Sequence, residues 1–361
     1  MLTLEDLRRF TVARSLTTPT TLTRALQKLS FVQADPIRAP ARAQDLTLRH
    51  RVNGYRAGDL ERRYATLDIE EDFFVTYGFL SRAVRDLMHP RPVPATWAGI
   101  GRTQARAVLD FVRERAEVSP RDVNSHFAFG SVTNLWGGRS LATTHLLDAM
   151  HYRGLLRIAR RADGIRIYAA RETTPAPDGP AERRARVDAL VDVAVRQYAP
   201  LTDAALSMLV RRLRYGVPQW RTDLPGALKR AKLRLASARV DGIHWFWPAN
   251  ERPANAAPPD IVRLLTPFDP LVWDRRRFEL LWGWAYRFEA YTPIAQRQYG
   301  YYALPMLWRD RVIGWANAGV KDGTLRTQFG YVQAGAPRGR VFARELEAEV
   351  DRLRAFLHLS P

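Results

Sequence analysis

A chain of 361 residues is too long for one compact core and sets an expectation of two to four domains. With 46% hydrophobic and 26% charged residues it is no disordered chain, and its 23 scattered prolines exclude a coiled-coil rod. Its 56 Lys and Arg against 37 Asp and Glu leave a net charge of +19, which points to a polyanionic partner, nucleic acid before an anionic membrane.

In chain order, Leu4–Arg14 reads as a helix, and Thr18-Pro19 caps a second over Thr20–Leu29. The segment Gln33-Ala34-Asp35-Pro36-Ile37 follows. Pro36 biases Asp35 toward extended backbone, and in an extended segment Gln33 and Asp35 project to the same side. An amide and a carboxylate then address one volume; an ordinary Asp-Pro turn is the structural alternative. A proline-rich break at Pro90–Pro94 ends this block, of which only the helices are clear. In the second block, Val118–Asp122 places Pro120 at a first helical position, and Ser140–Arg153 repeats apolar residues at helical spacing until Gly154. Ala162-Asp163-Gly164 then turns a hairpin, so helix, helix, hairpin gives the order of a winged helix.

After a linker at 173–180 the third block repeats that order. Leu201–Tyr215 is helical, Asp223-Leu224-Pro225 opens a helix through Ala236, and Arg239–Ile243 turns a hairpin. The wing carries His244, Trp245 and Trp247, which either enter a groove or belong to the core. Beyond a second linker at 251–259, short alternating runs separated by Arg309-Asp310 and Asp322-Gly323 predict an antiparallel sheet or barrel. An amphipathic helix from Val341 closes the chain.

The chain has no cysteine, which excludes disulfides, thiolate metal sites and cysteine nucleophiles. Its apolar runs fall short of the ~18 residues that span a bilayer, and its first residues are too charged for a signal peptide, so a cytoplasmic protein is expected. The seven histidines form no HExxH pattern, and P-loop, GxSxG and GxGxxG motifs are missing, so a metal or nucleotide has no motif behind it.

Gln33-Ala34-Asp35-Pro36-Ile37, with Arg42, Leu46, Leu48 and Arg51 after it, resembles the start of the winged-helix DNA glycosylases that repair alkylated and crosslinked DNA, the AlkZ/YcaQ family. The stretch 264–307, including Phe268-Asp269-Pro270 and Trp273-Asp274-Arg275, is similar to that family, as is Gly137–Arg161. The chain looks like the Gln-x-Asp branch. It departs at Phe74–Phe79, where the family shows a segment with histidine and glutamate, and at Gln44, where relatives carry histidine; these changes mark a subfamily with its own substrate.

The resemblance implies an α+β multidomain protein of tandem winged-helix domains with a C-terminal β-barrel: a first winged helix at 1–97, a second at 98–175, a third at 180–256, and the barrel with its terminal helix at 260–361. It implies a monomeric, monofunctional glycosylase acting on double-stranded DNA with alkylated bases, with no membrane, metal or organic cofactor. Its reaction is hydrolysis of the N-glycosidic bond of cationic N7-alkylpurines, crosslinked adducts included. Asp35 would stabilise the oxocarbenium-like sugar and activate a water held by Gln33, while Arg38, Arg42, Arg49, Arg51 and His244 would contact DNA. Arg275–Arg277 are expected to pair with Asp269 or Asp274. The rival reading is a non-enzymatic winged-helix transcriptional regulator, which explains the charge and the hairpins but not Gln33 and Asp35.

Overall fold

The computed structural model describes residues 2–16, 18–94, 96–97, 100–133, 137–162, 164–172, 175–253, 257–332 and 337–360. Asp163 of the expected hairpin turn, Thr173 and Thr174 of the first linker and residues 254–256 of the second lie outside them. The fold mixes helices with small antiparallel sheets, and the chain divides into two compact units that are not continuous in sequence.

One unit comprises 1–60, 191–211 and 225–361. Its first helix, Leu4–Ser15, starts where Thr3 and Asp6 form a reciprocal capping box. The second begins at Leu22, not Thr20, because the Thr21 hydroxyl accepts the Arg24 N–H and so sets the cap. It ends on Ser30, whose left-handed backbone turns the chain into the strand Phe31–Gln33. A short helix, Ala43–Leu48, packs on that strand.

Leu201-Thr202 forms a short strand, so the helix expected from Leu201 starts at Asp203 and passes into a 3-10 turn over Leu213–Tyr215. Helix Leu224–Arg234 and the hairpin Ala236–Val240/Ile243–Trp247 follow as expected, and Leu201-Thr202 adds to the hairpin's second strand. Asp241 and Gly242 both take positive φ at its tip, the backbone a two-residue hairpin turn demands.

The C-terminal block folds as a four-stranded antiparallel meander in the order Val262–Leu264, Leu304–Trp308, Arg311–Lys321, Thr324–Tyr331. Among the described pairings its end strands do not meet, so the expected barrel is seen as an open sheet. A Cβ on Gly330 would lie 2.2 Å from the Trp315 ring, so only glycine lets that indole lie flat on its partner strand. Helix Arg275–Trp282 interrupts what the sequence presents as strand texture, and Phe278 joins Val12, Leu265, Trp284 and Leu307 in one core. Helix Arg340–Phe356 ends the chain.

The other unit comprises 61–190 and 212–224. Here Ser119 caps helix Pro120–Phe127, with Pro120 at its start as expected. Ser140 and Leu141 belong to a short strand, and the following helix is Ala142–Tyr152. The hairpin Leu156–Ala162/Ile165–Ala170 packs on it. The sequence gives no sign of a further hairpin, Ile69–Phe73/Tyr77–Ser81. Its first strand buries Glu70, Glu71 and Asp72, which hides the apolar alternation that marks a strand.

Those acids are ion-paired. Asp72 accepts from His89 Nε2 and from Arg91 Nη1, each at 2.8 Å, and Glu71 takes Arg161 and the Tyr77 hydroxyl. Burial holds the His89 imidazole down at about 4, so it is the neutral ring that donates to Asp72. Among the described residues no helix is long and apolar enough to cross a membrane.

Candidate active site

The Gln-x-Asp segment lies in the discontinuous unit that holds the meander. Phe31 and Val32 are 1% exposed and anchor the strand, while Gln33, Ala34 and Asp35 emerge half-buried beyond them. Gln197 steadies the strand from outside by donating its Nε2 to the Phe31 carbonyl at 2.9 Å. Beyond the strand, the Asp35 Oδ1 accepts the Ile37 N–H at 2.9 Å across Pro36, which fixes the carboxylate rotamer and leaves Oδ2 for other work.

Two polar atoms here have no hydrogen-bond partner although they are buried. They are the Oε1 of Gln33 and the Oε1 of Gln44, on the helix packed against the strand. A buried carbonyl oxygen left unpaired costs about 1–3 kcal/mol, so each suits a site that receives a donor such as water. Desolvation raises the Asp35 pKa above the usual carboxylate value, against the lowering effect of the Ile37 N–H.

An aromatic wall lies within reach of the Asp35 charge. That charge helps to raise the pKa of Tyr302, for which burial is the larger cause, and the Tyr302 hydroxyl lies 3.1 Å from Thr266 Oγ1. Phe288 stands edge-on to Tyr302 at 5.4 Å, and Phe268 packs on Phe288 at 5.1 Å. Tyr302 and Ala39 line an open groove of about 350 Å3, together with Tyr301, Asn317 and Arg326. The sequence reading missed this wall. Its signal was the density of rings between 268 and 302, which alternation alone reads as sheet.

The expected DNA-contacting residues divide. Arg38 is exposed, and its backbone bridges to that of Arg42 across the turn, bringing the two residues together beside the motif. His244 is exposed next to the hairpin tip, its ring 4.4 Å from Phe246, whereas Trp245 and Trp247 are core. Arg49 and Arg51 are not where a phosphate contact would have to be. Arg49 is buried against Glu349, and Arg51, 4% exposed, bonds both oxygens of Asp269 as well as the Thr47 and Ser15 carbonyls. Asp269 therefore pairs with Arg51 and not with Arg275–Arg277. Arg275 donates to the Pro267 carbonyl and stacks on Tyr286, and Asp274 caps its own helix through the Arg277 N–H.

A second cavity, about 240 Å3, is lined by Arg14, Lys28, Arg51, Arg196 and Glu251. Burial, and then the charges of Arg14 and Arg51, lower the Lys28 pKa, so an anion bound there would relieve a crowd of like charges. Lys28 and Arg196 are exposed. The sequence reading did not single them out.

The chain is similar over its whole length to the DNA glycosylase AlkZ of Streptomyces sahachiroi, with a TM-score of 0.63 at 14% identity, covering 100% of this chain and 98% of that one. At that identity the likeness concerns the fold. Residues 26–356 match the family model described as DNA glycosylase AlkZ-like, a span that runs from before Gln33 to the last turn of the final helix. The chain belongs to the AlkZ-like DNA glycosylase family.

Proposed function

We propose that this glycosylase hydrolyses the N-glycosidic bond of cationic alkylpurines in double-stranded DNA, N7-alkylguanines and N3-alkyladenines first, with crosslinked adducts within its range. The observation that carries the reading is a half-buried Asp35 two residues from an unpartnered, buried Gln33 Oε1, just past the end of the strand Phe31–Gln33.

The chemistry needs little else. Alkylation leaves the purine positively charged, so it departs neutral with the electrons of the broken C1′–N bond and needs no general acid. The sugar is left as an oxocarbenium-like cation, which the Asp35 carboxylate stabilises by charge. Gln33 Oε1 accepts a hydrogen bond from the attacking water. The water oxygen bonds to C1′, and its proton passes to Asp35. Asp35 is more basic than an ordinary aspartate, because burial disfavours its charged form, and this improves it as a proton acceptor.

Arg38, Arg42 and His244 are proposed to contact the DNA, with Lys28 and Arg196 added by the basic cavity. Helix Pro120–Phe127, helix Ala142–Tyr152 and the hairpin 156–170 support a winged helix at 98–175. The strand Leu201-Thr202, two helices and the hairpin 236–247 support another at 180–256. The test is incubation with duplex DNA carrying N7-methylguanine, scored as alkali-labile abasic sites. Release of the methylated base with the strand otherwise intact is expected. No release from any cationic lesion would overturn the proposal.

A further inference from the structure

The chain between helix Arg275–Trp282 and strand Leu304–Trp308 is a long loop with a tightly held base and an apolar tip. At the base, Trp284 and Tyr286 are core residues, and the Tyr286 hydroxyl donates to the Ala303 carbonyl at 2.7 Å. Glu289 is 4% exposed and accepts the backbone N–H groups of Gln298, Tyr299 and Gly300 at 3.0, 2.7 and 3.2 Å. Across the loop the Arg297 Nε donates to the Thr292 carbonyl at 2.7 Å, and Asn317 Nδ2 donates to that of Tyr299, also at 2.7 Å. A loop closed by so many internal bonds presents its tip in a set position.

The tip is the reverse of what water selects. Tyr291 is 79% exposed and Ile294 is 81% exposed, although each buries well wherever a core accepts it. The only acid in the loop 288–301, Glu289, sits at its base, turned inward and used up. Outside the tip, Arg287 is exposed with no ion-pair partner among the described residues, and Arg297 lies over the Tyr301 ring. An apolar tip in a cationic collar fits a polyanion whose interior is stacked rings. A protein partner gains nothing from that collar unless it is acidic.

Position completes the argument. Tyr291 touches Phe288, Phe288 touches Tyr302, and Tyr302 shares its groove with Ala39, four residues beyond Asp35. The tip thus touches the wall at Phe288 and is two ring contacts from Tyr302, which the Asp35 charge reaches. We propose that the loop 288–301 is a wedge: Tyr291 and Ile294 enter the base stack beside the damaged nucleotide and unstack it, so that its C1′ comes within reach of Asp35. Apolar side chains inserted between base steps are a known means of opening a duplex. The inference rests on the glycosylase reading above for its lesion, but not for its geometry.

The experiment uses the full chain and a duplex with 2-aminopurine placed next to N7-methylguanine. Fluorescence reports unstacking, and single-turnover excision is followed on the same DNA. Wild type is expected to raise the fluorescence on binding. The double variant Tyr291→Ala/Ile294→Ala should lose most of that rise and excise roughly 5- to 150-fold more slowly, the range expected for one lost aromatic–base stack. Tyr291→Trp should retain both. These sites are exposed, so melting temperatures should not change, and the salt slope of binding should stay at the wild-type value. Equal fluorescence and equal excision in wild type and double variant would overturn the wedge and leave the catalytic reading standing. A wild type that unstacks the reporter through Tyr291 and Ile294 but excises nothing would uphold the wedge and overturn the proposed substrate.

Discussion

Arg51 and Asp269 are 218 residues apart in the chain and meet as a two-pronged ion pair, Nη1 to Oδ2 at 2.7 Å and Nη2 to Oδ1 at 3.0 Å. The same guanidinium holds the Thr47 carbonyl, and Asp269 Oδ1 also accepts the Leu271 N–H. The pair joins the segment after the Gln-x-Asp motif to the segment that places Phe268 in the aromatic wall. It is structural, and it lies close enough to the site that losing it should affect both stability and catalysis.

Removing one partner strands a buried charge. Asp269→Asn or Arg51→Ala should therefore cost about 3–5 kcal/mol in urea unfolding. The contrast is Arg38→Ala, an exposed site, which should stay within about 0.5 kcal/mol of wild type. Equal effects at both positions would show that the buried pair carries no special weight.

Asp35→Asn keeps the shape of the side chain and removes its charge. Excision should fall by orders of magnitude with DNA affinity nearly kept. The Asp35 pKa is raised in the folded protein, so the ionised form opposes folding and the asparagine variant should be as stable as wild type or more so. The excision rate of wild type should drop on the acid side as the carboxylate takes up a proton, at a pH above that of an ordinary aspartate. A variant that loses stability along with activity would make Asp35 a turn residue. Gln33→Ala should be milder, because an amide positions water without supplying charge.

Binding to undamaged duplex should weaken steeply with salt as phosphate contacts release counterions. Arg38→Ala and Lys28→Ala should each lower the slope of log K against log salt by about 1. Arg49→Ala should leave that slope alone while destabilising the fold, because its partner is Glu349. A flat salt dependence between about 50 and 200 mM would remove the case for phosphate contacts altogether.

The His89–Asp72 pair sets an acid limit on stability in the other unit. The folded imidazole titrates near 4 while an unfolded histidine titrates near ~6.5, so the unfolded chain binds the proton first as pH falls. Stability that is complete above ~6.5 should decline steadily toward pH 4, by a few kcal/mol. Below that, protonation of Asp72, whose pKa Arg91 and His89 lower against the effect of burial, should remove more. Denaturant melts at pH 7 and pH 5 test this, and His89→Gln should flatten the difference between them.

The site offers one carboxylate, Asp35, and the amides of Gln33 and Gln44, with no second acid placed there among the described residues to protonate a leaving base. Expelling a neutral base usually needs such a donor, worth about 10²–10⁴-fold. N7-methylguanine and N3-methyladenine should be excised, and hypoxanthine, uracil and 1,N⁶-ethenoadenine poorly or not at all. Adduct size should matter less than adduct charge. A panel of single-lesion duplexes ranked by single-turnover rate decides, and efficient removal of uracil would contradict the mechanism.

What the sequence determined by itself was local. Thr3 and Asp6 cap a helix, Pro120 starts one, and Asp241-Gly242 turns a hairpin, each through atoms a few residues apart. Pro36 and the period of an extended chain lead to the expectation that Gln33 and Asp35 share a side, and the strand itself ends at Gln33. The hairpin Ile69–Ser81 escaped notice because its pattern shows three acids where a strand should show apolar residues, and their cations stand at 91, 161 and 171. Only the tertiary structure decided which of four similar arginines are surface and which are core. Arg38 and Arg51 read alike in one dimension, but a guanidinium's role is set by the nearest carboxylate in space, and for Arg49 and Arg51 that carboxylate comes from 300 and 218 residues away. The wall of Phe268, Phe288 and Tyr302 beside Asp35 has the same origin: the chain must fold back on itself before a carboxylate and a ring far apart in sequence can shape one site.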